Sequence, residues 1–162
     1  MRHIKLLPIM GMVLCGLALL GVAYAKGLSV SPASCRWDNV EVGKLAECPG
    51  CIMVKNDSDS VRSYTLRAVK PEDIDIKLKE GFKLVPSTNW VSFERKRITV
   101  GPGEWKQVKL FIEIPEKREN YNKKWEFYLE IKEYPARGQM FALACYSRFF
   151  LLTENARGKS YK

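Results

Sequence analysis

The sequence predicts an all-β protein, an antiparallel sandwich of seven to eight strands, and three observations carry that expectation. Residues 101–115, GPGEWKQVKLFIEIP, join a glycine-proline turn to the cleanest period-two pattern in the chain. Val108, Leu110, Ile112 and Ile114 fall on one face, Lys109, Phe111 and Glu113 on the other. A strand that is apolar on one face needs a second layer to cover it. From Gly27 onward, short apolar or alternating runs are separated by closely spaced turn residues, with no helical stripe of useful length between them.

Taken in order, the chain opens on an export signal. Arg2 and Lys5 precede an apolar run from Leu6 to Val22, and Ala23-Tyr24-Ala25 places small residues where a signal peptidase reads them. Residues 1–25 are therefore expected to be removed. A retained membrane anchor is the rival, because the run is near the lower length limit for a span. A lipoprotein reading through Cys15 is weaker, since Leu14 before it is too bulky for the usual lipobox.

Leu28 and Val30 make a short strand that Pro32 closes. Cys35, Trp37 and Val40 continue as an edge segment, and Val42 to Gly50 reads as a loop. Ile52 and Val54 alternate up to the polar turn cluster Asn56-Asp57-Ser58-Asp59-Ser60. Tyr64 to Val69 is a strand stopped by Pro71, and Asp73 to Lys79 carries Ile74, Ile76 and Leu78 at period two. Phe82 and Leu84, then Trp90 to Phe93, then Ile98 and Val100 give short strands before the turn at 101–103. After the 101–115 stretch and a charged connection from Glu116 to Lys124, Trp125, Phe127, Leu129 and Ile131 alternate with Glu126, Tyr128, Glu130 and Lys132. This strand is expected to pair directly with the 101–115 strand. Met140 to Thr153 is the last strand, with Phe141, Leu143, Cys145, Phe149 and Leu151 on its apolar face. One domain spans 26–155, and 156–162 is a basic tail.

Removing 25 residues and two positive charges from a chain of 162 with net charge +9 leaves 137 residues at +7. The single histidine, His3, lies in the removed segment, so Ser-His-Asp triads, Cys-His dyads and histidine metal sites are excluded from the mature protein. Cys35, Cys48, Cys51 and Cys145 remain, and an even count in an exported chain reads first as disulfides. Cys48-Pro49-Gly50-Cys51 has redox spacing, which makes a thiol-disulfide oxidoreductase an alternative. A strand pattern follows it where an activating helix would be needed. Only one cysteine pair has zinc-ligand spacing, so no metal or cofactor is expected.

Lys117, Arg118, Lys123 and Lys124 sit in the connection between two central strands and should project together from one end of the sandwich, where loops on a rigid sheet place their contacts. In an exported protein such charge meets an acidic protein or an anionic envelope polymer before nucleic acid. Trp105, just after a turn, is the tryptophan most free to be exposed and joins them as a candidate binding residue; Trp37, Trp90 and Trp125 read as core.

Ser31-Pro32, residues 37–43 (WDNVEVG) and residues 52–59 (IMVKNDSD) resemble the opening of immunoglobulin-like domains of the major sperm protein type. Residues 90–93 (WVSF), 98–104 (ITVGPGE) and a strand ending Ile114-Pro115 are similar to exported bacterial immunoglobulin-like domains. The resemblance covers nearly all of 27–155 and implies an immunoglobulin-like sandwich acting as a non-catalytic binding or scaffolding module of the cell envelope. It also implies that the Cys35 segment lies beside the last strand, which would pair Cys35 with Cys145 and leave Cys48 with Cys51. A self-assembling adhesin-type subunit is a further alternative.

Overall fold

A computed structural model describes residues 27–135 and 141–156. The expected signal segment and most of the basic tail lie outside the described residues, as does Met140. Twelve short strands make two facing layers. The strands are β1 (Leu28–Ser31), β2 (Ser34–Val40), β3 (Leu45–Glu47), β4 (Ile52–Asn56), β5 (Arg62–Val69) and β6 (Lys83–Leu84). They continue as β7 (Val91–Phe93), β8 (Arg97–Val100), β9 (Trp105–Val108), β10 (Leu110–Glu113), β11 (Lys124–Glu133) and β12 (Ala144–Thr153). The count exceeds seven or eight partly because two stretches are divided. The first strand breaks at the cis Ser31–Pro32 bond, and the 101–115 strand is interrupted at Lys109.

The two halves of the 101–115 strand bond to different neighbours. β9 extends the sheet β1-β4-β9, whereas β10 lies between β3 and β7. The other layer is β2-β12-β11-β5-β8, with β6 beside the start of β11. Thus β11 does not pair with the 101–115 strand as expected; it pairs with β12 and β5. Both stretches have an apolar face, and facing those surfaces across the core buries both at once. Val108, Leu110, Ile112 and Ile114 are buried on one side, with Trp125, Phe127, Leu129, Ile131, Phe149 and Leu151 in the same core.

The sheet is not purely antiparallel. β2 runs parallel to β12, and β6 runs parallel to β11. The opening strand starts against β4 in one layer and, after Pro32, continues against β12 in the other. Proline has no N–H for a ladder, so the change of layer falls where the ladder is already interrupted.

Two local expectations are corrected. The 73–79 segment is not a strand: Pro71–Ile74 forms a 3-10 turn in which the Lys70 N–H donates to the Asp73 carboxylate at 3.0 Å, and Asp75 adopts φ 53°. Ile76 and Leu78 are left partly exposed. The 42–50 loop contains β3, which pairs with β10. Among the described residues, no helix is long and apolar enough to cross a membrane.

β11 is buried on both faces. Its outward side chains Glu126, Tyr128 and Glu130 are covered by neighbours on β5 and β12 and by the chain running through Lys79 and Phe82. The Glu126 carboxylate accepts from Arg148 and from the Lys79 backbone N–H at 2.9 Å. The Glu130 carboxylate accepts from Arg67 and, at 3.1 Å, from the Tyr146 hydroxyl. These bonds make burial of two carboxylates tolerable.

Candidate binding end and the cysteine cluster

The connection from Ile114 to Lys124, read from sequence as a charged loop, is anchored by its uncharged residues. Arg118–Asn120 forms a 3-10 turn. The buried Asn120 amide donates to the Pro115 carbonyl at 2.8 Å, and Tyr121 enters the core. Asn122, at φ 53°, turns the chain back, and its N–H donates to the Glu154 carbonyl at 2.9 Å. The Lys123 N–H then reaches the Thr153 hydroxyl at 2.8 Å. A basic segment is thereby held against the end of β12 by backbone and core contacts, leaving its cations for solvent.

Lys117 and Lys123 line an open depression of about 400 Å³ together with Lys83, Pro86, Trp90, Glu119, Asn120 and Trp125. Lys83 arrives because β6 pairs with β11 opposite Trp125. Trp90 arrives on a 3-10 turn started by Ser87, whose hydroxyl accepts from the Asn89 N–H at 3.2 Å. The Trp90 and Trp125 rings pack at 5.4 Å and 59°. Three ammonium groups and one carboxylate thus surround an aromatic wall, a lining suited to a carboxylate- or phosphate-bearing partner with a flat or apolar portion. Arg118 and Lys124 are exposed nearby but do not line the depression.

Trp105 does not belong to this end. It is half exposed and pairs with Lys55, whose ammonium lies 5.6 Å from the ring. The adjacent Asn56 is bonded into the turn that follows Val100, and Val100 pairs with Arg62, which in turn binds Glu133 at the far end of β11. Lys123 precedes the near end of that ten-residue strand, so about 30 Å separates the two regions. Lys83 and Trp90 are the members that sequence reading missed. Lys83 lies in an unremarkable run, and Trp90, expected in the core, is only partly buried against it and also lines the depression.

The cysteines are also arranged differently from expectation. Cys35 pairs with Phe149 in the β2–β12 register, four residues from Cys145, or about 13 Å along the strand. That separation is too large for the Cys35–Cys145 disulfide. Cys145 instead donates to the Leu28 carbonyl at 3.2 Å, whereas the Cys35 Sγ lies 3.9 Å from the Cys48 Sγ. Burial pushes the Cys48 thiol up to about 12, against the lowering effect of the Gly50 backbone. A strand, β4, follows Cys51, so Cys48 has the opposite environment from the exposed, acidic thiol of a redox catalyst. Among the described residues, no group of three or more candidate ligands is disposed to hold a metal ion.

No family model matches the sequence, and no curated protein matches it. Solved structures do match. The PapD-like domain 7 of human CEP192 aligns with TM-score 0.57 at 9% identity, covering 82% of this chain and 88% of that domain. A putative carbohydrate-binding protein from Bacteroides ovatus aligns with TM-score 0.60 at 7% identity, over 79% of this chain and 37% of its own. A chain of the Salmonella enterica SafA pilin–SafB chaperone complex aligns with TM-score 0.53 at 7% identity, over 83% of this chain. This protein spans a little over half of that chain, 57%. The two-layer architecture is therefore an immunoglobulin-like β fold, similar to that of PapD-like domains. At these identities the likeness concerns the fold, and the major sperm protein type stays an expectation from the sequence.

Proposed function

We propose that the protein is an exported, non-catalytic module that binds an acidic segment of a protein partner at the end of the sandwich lined by Lys83, Lys117, Lys123 and Trp90. The observation that supports this reading most is the convergence of three lysines from separate segments on one aromatic-walled depression, with one carboxylate among them. A protein partner is favoured over an anionic polymer because one structure of similar fold is a pilin–chaperone complex. The mature charge of +7 would speed encounter with such a partner.

The test is retention of the protein on isolated envelope material. Retention should fall with added salt and in the Lys117→Glu/Lys123→Glu variant, and it should be lost after protease treatment of the material. Retention that survives protease would replace the protein partner with an anionic polymer. Indifference to both salt and charge reversal would remove the basic end from consideration.

A second reading, self-assembly through an exposed apolar patch, is supported at the opposite end. Phe141 is 81% exposed and Leu143 49% exposed just before β12. Both line a depression of about 250 Å³ with Tyr64 and Glu133. The backbone edge at Ala144–Ser147 is covered by the opening strand, with the Cys145 thiol on the Leu28 carbonyl and the Ser147 hydroxyl on the Pro32 carbonyl, so the exposed apolar side chains ahead of β12 carry this reading. Self-assembly there would appear as a concentration-dependent elution volume in size-exclusion chromatography, abolished by Phe141→Glu.

A further inference from the structure

We propose that Cys35 and Cys48 are a disulfide-forming pair that clips the two layers of the sandwich together beside the switch point of the first strand. Cys35 stands on β2, in the layer of β12. Cys48 follows β3 in the opposite layer, where its N–H donates to the Leu110 carbonyl at 2.8 Å. Their sulfurs are 3.9 Å apart, so a bond of about 2.05 Å needs the gap to close by about 2 Å, within reach of side-chain rotation and a small backbone adjustment.

The other pairings are disfavoured by geometry. Cys145 is several residues further along β12 and occupied with Leu28. Cys51 precedes Ile52 and shares the alternation of Met53 and Lys55, which are less buried than the core-facing Ile52 and Val54. Cys48, by contrast, is part of the core. Spacing in the sequence favoured Cys48 with Cys51, whereas the fold places a residue thirteen positions away in contact with Cys48.

The chemistry requires a disulfide donor. Cys35, the more exposed of the two, attacks the donor disulfide, forming one mixed S–S bond and releasing one donor thiol. The Cys48 sulfur then displaces the second donor thiol. Two cysteine thiols are oxidised to one disulfide, the donor disulfide is reduced to two thiols, and the cysteine protons end on the donor. Burial, which pushes the Cys48 thiol up, makes it the slower, second nucleophile and protects the finished bond from reduction.

Incubating the full chain with oxidised glutathione supplies that donor. The expected result is loss of two alkylatable thiols, a linked Cys35–Cys48 peptide in a non-reducing map, and a higher urea midpoint than for the reduced chain. Cys51→Ser should retain the link, and Cys35→Ser should lose both the link and the response of the midpoint to glutathione. A dominant Cys48–Cys51 or Cys35–Cys145 peptide would overturn the assignment, as would a chain that loses no thiols.

Discussion

Glu126 and Arg148 bind across the β11–β12 pair, with the Arg148 Nη2 and Nε 2.7 Å and 2.8 Å from the same Oε1 of a carboxylate that has no exposed surface. The other oxygen accepts from the Lys79 N–H, so one side chain fastens both a neighbouring strand and the crossing segment to β11. Glu126→Ala should cost about 2 to 3 kcal/mol in urea unfolding, because partly exposed Arg148 reaches water but the Lys79 N–H loses its acceptor. Glu126→Gln keeps an acceptor and should cost less. Equal losses would show that the charge alone matters.

Glu130 gives the acid limb of stability a specific origin. The Arg67 hydrogen bond holds its carboxyl below the ordinary range, assisted by the Tyr146 hydroxyl and opposed by burial. A depressed folded value means that the unfolded chain binds more protons, so this stabilisation is complete above about pH 4.3 and is lost as pH falls through the lower folded value. Glu130→Gln should cost about 1 to 3 kcal/mol at neutral pH and flatten the decline below pH 4.3. A variant whose unfolding midpoint parallels the parent at every pH would contradict this account.

Ile112 and Lys109 test the layer assignment. Ile112 has no exposed surface, whereas Lys109 is half exposed and pairs with the half-exposed Glu47 at 2.9 Å. Ile112→Ala should cost about 2 to 5 kcal/mol, and Lys109→Ala should stay within about 0.5 kcal/mol. Chemical denaturation of both variants compares them directly.

Asn120 is expected to position the basic end without touching a ligand. Asn120→Ala removes the bond to the Pro115 carbonyl and should cost about 1 to 2 kcal/mol. It should also weaken retention on envelope material at salt concentrations where the folded fraction is unchanged. Unaltered retention would mean that Lys117 needs no such support.

The mature chain should begin at Lys26. An intact mass that includes residues 1–25 after export would favour the retained anchor.

What the sequence determined by itself is local. Alternation at 108–114 and 125–131 identified the buried faces, and Pro32, Pro71 and the 56–60 and 101–103 turns placed strand ends, because side-chain alternation and proline geometry belong to a few consecutive residues. The tertiary structure alone decided partners. Period two says which face is covered but not by what, so the two clearest strands were expected to pair and instead face each other across the core. The sequence places Glu126 and Glu130 on the face opposite Trp125 and Phe127, but their burial comes from Arg148, Arg67 and the chain through Lys79. Lys83 and Trp90 joined Lys117 and Lys123, and Cys35 met Cys48, only because distant strands were brought into register. Long-range register is set by burial summed over the whole chain, and no short stretch carries it.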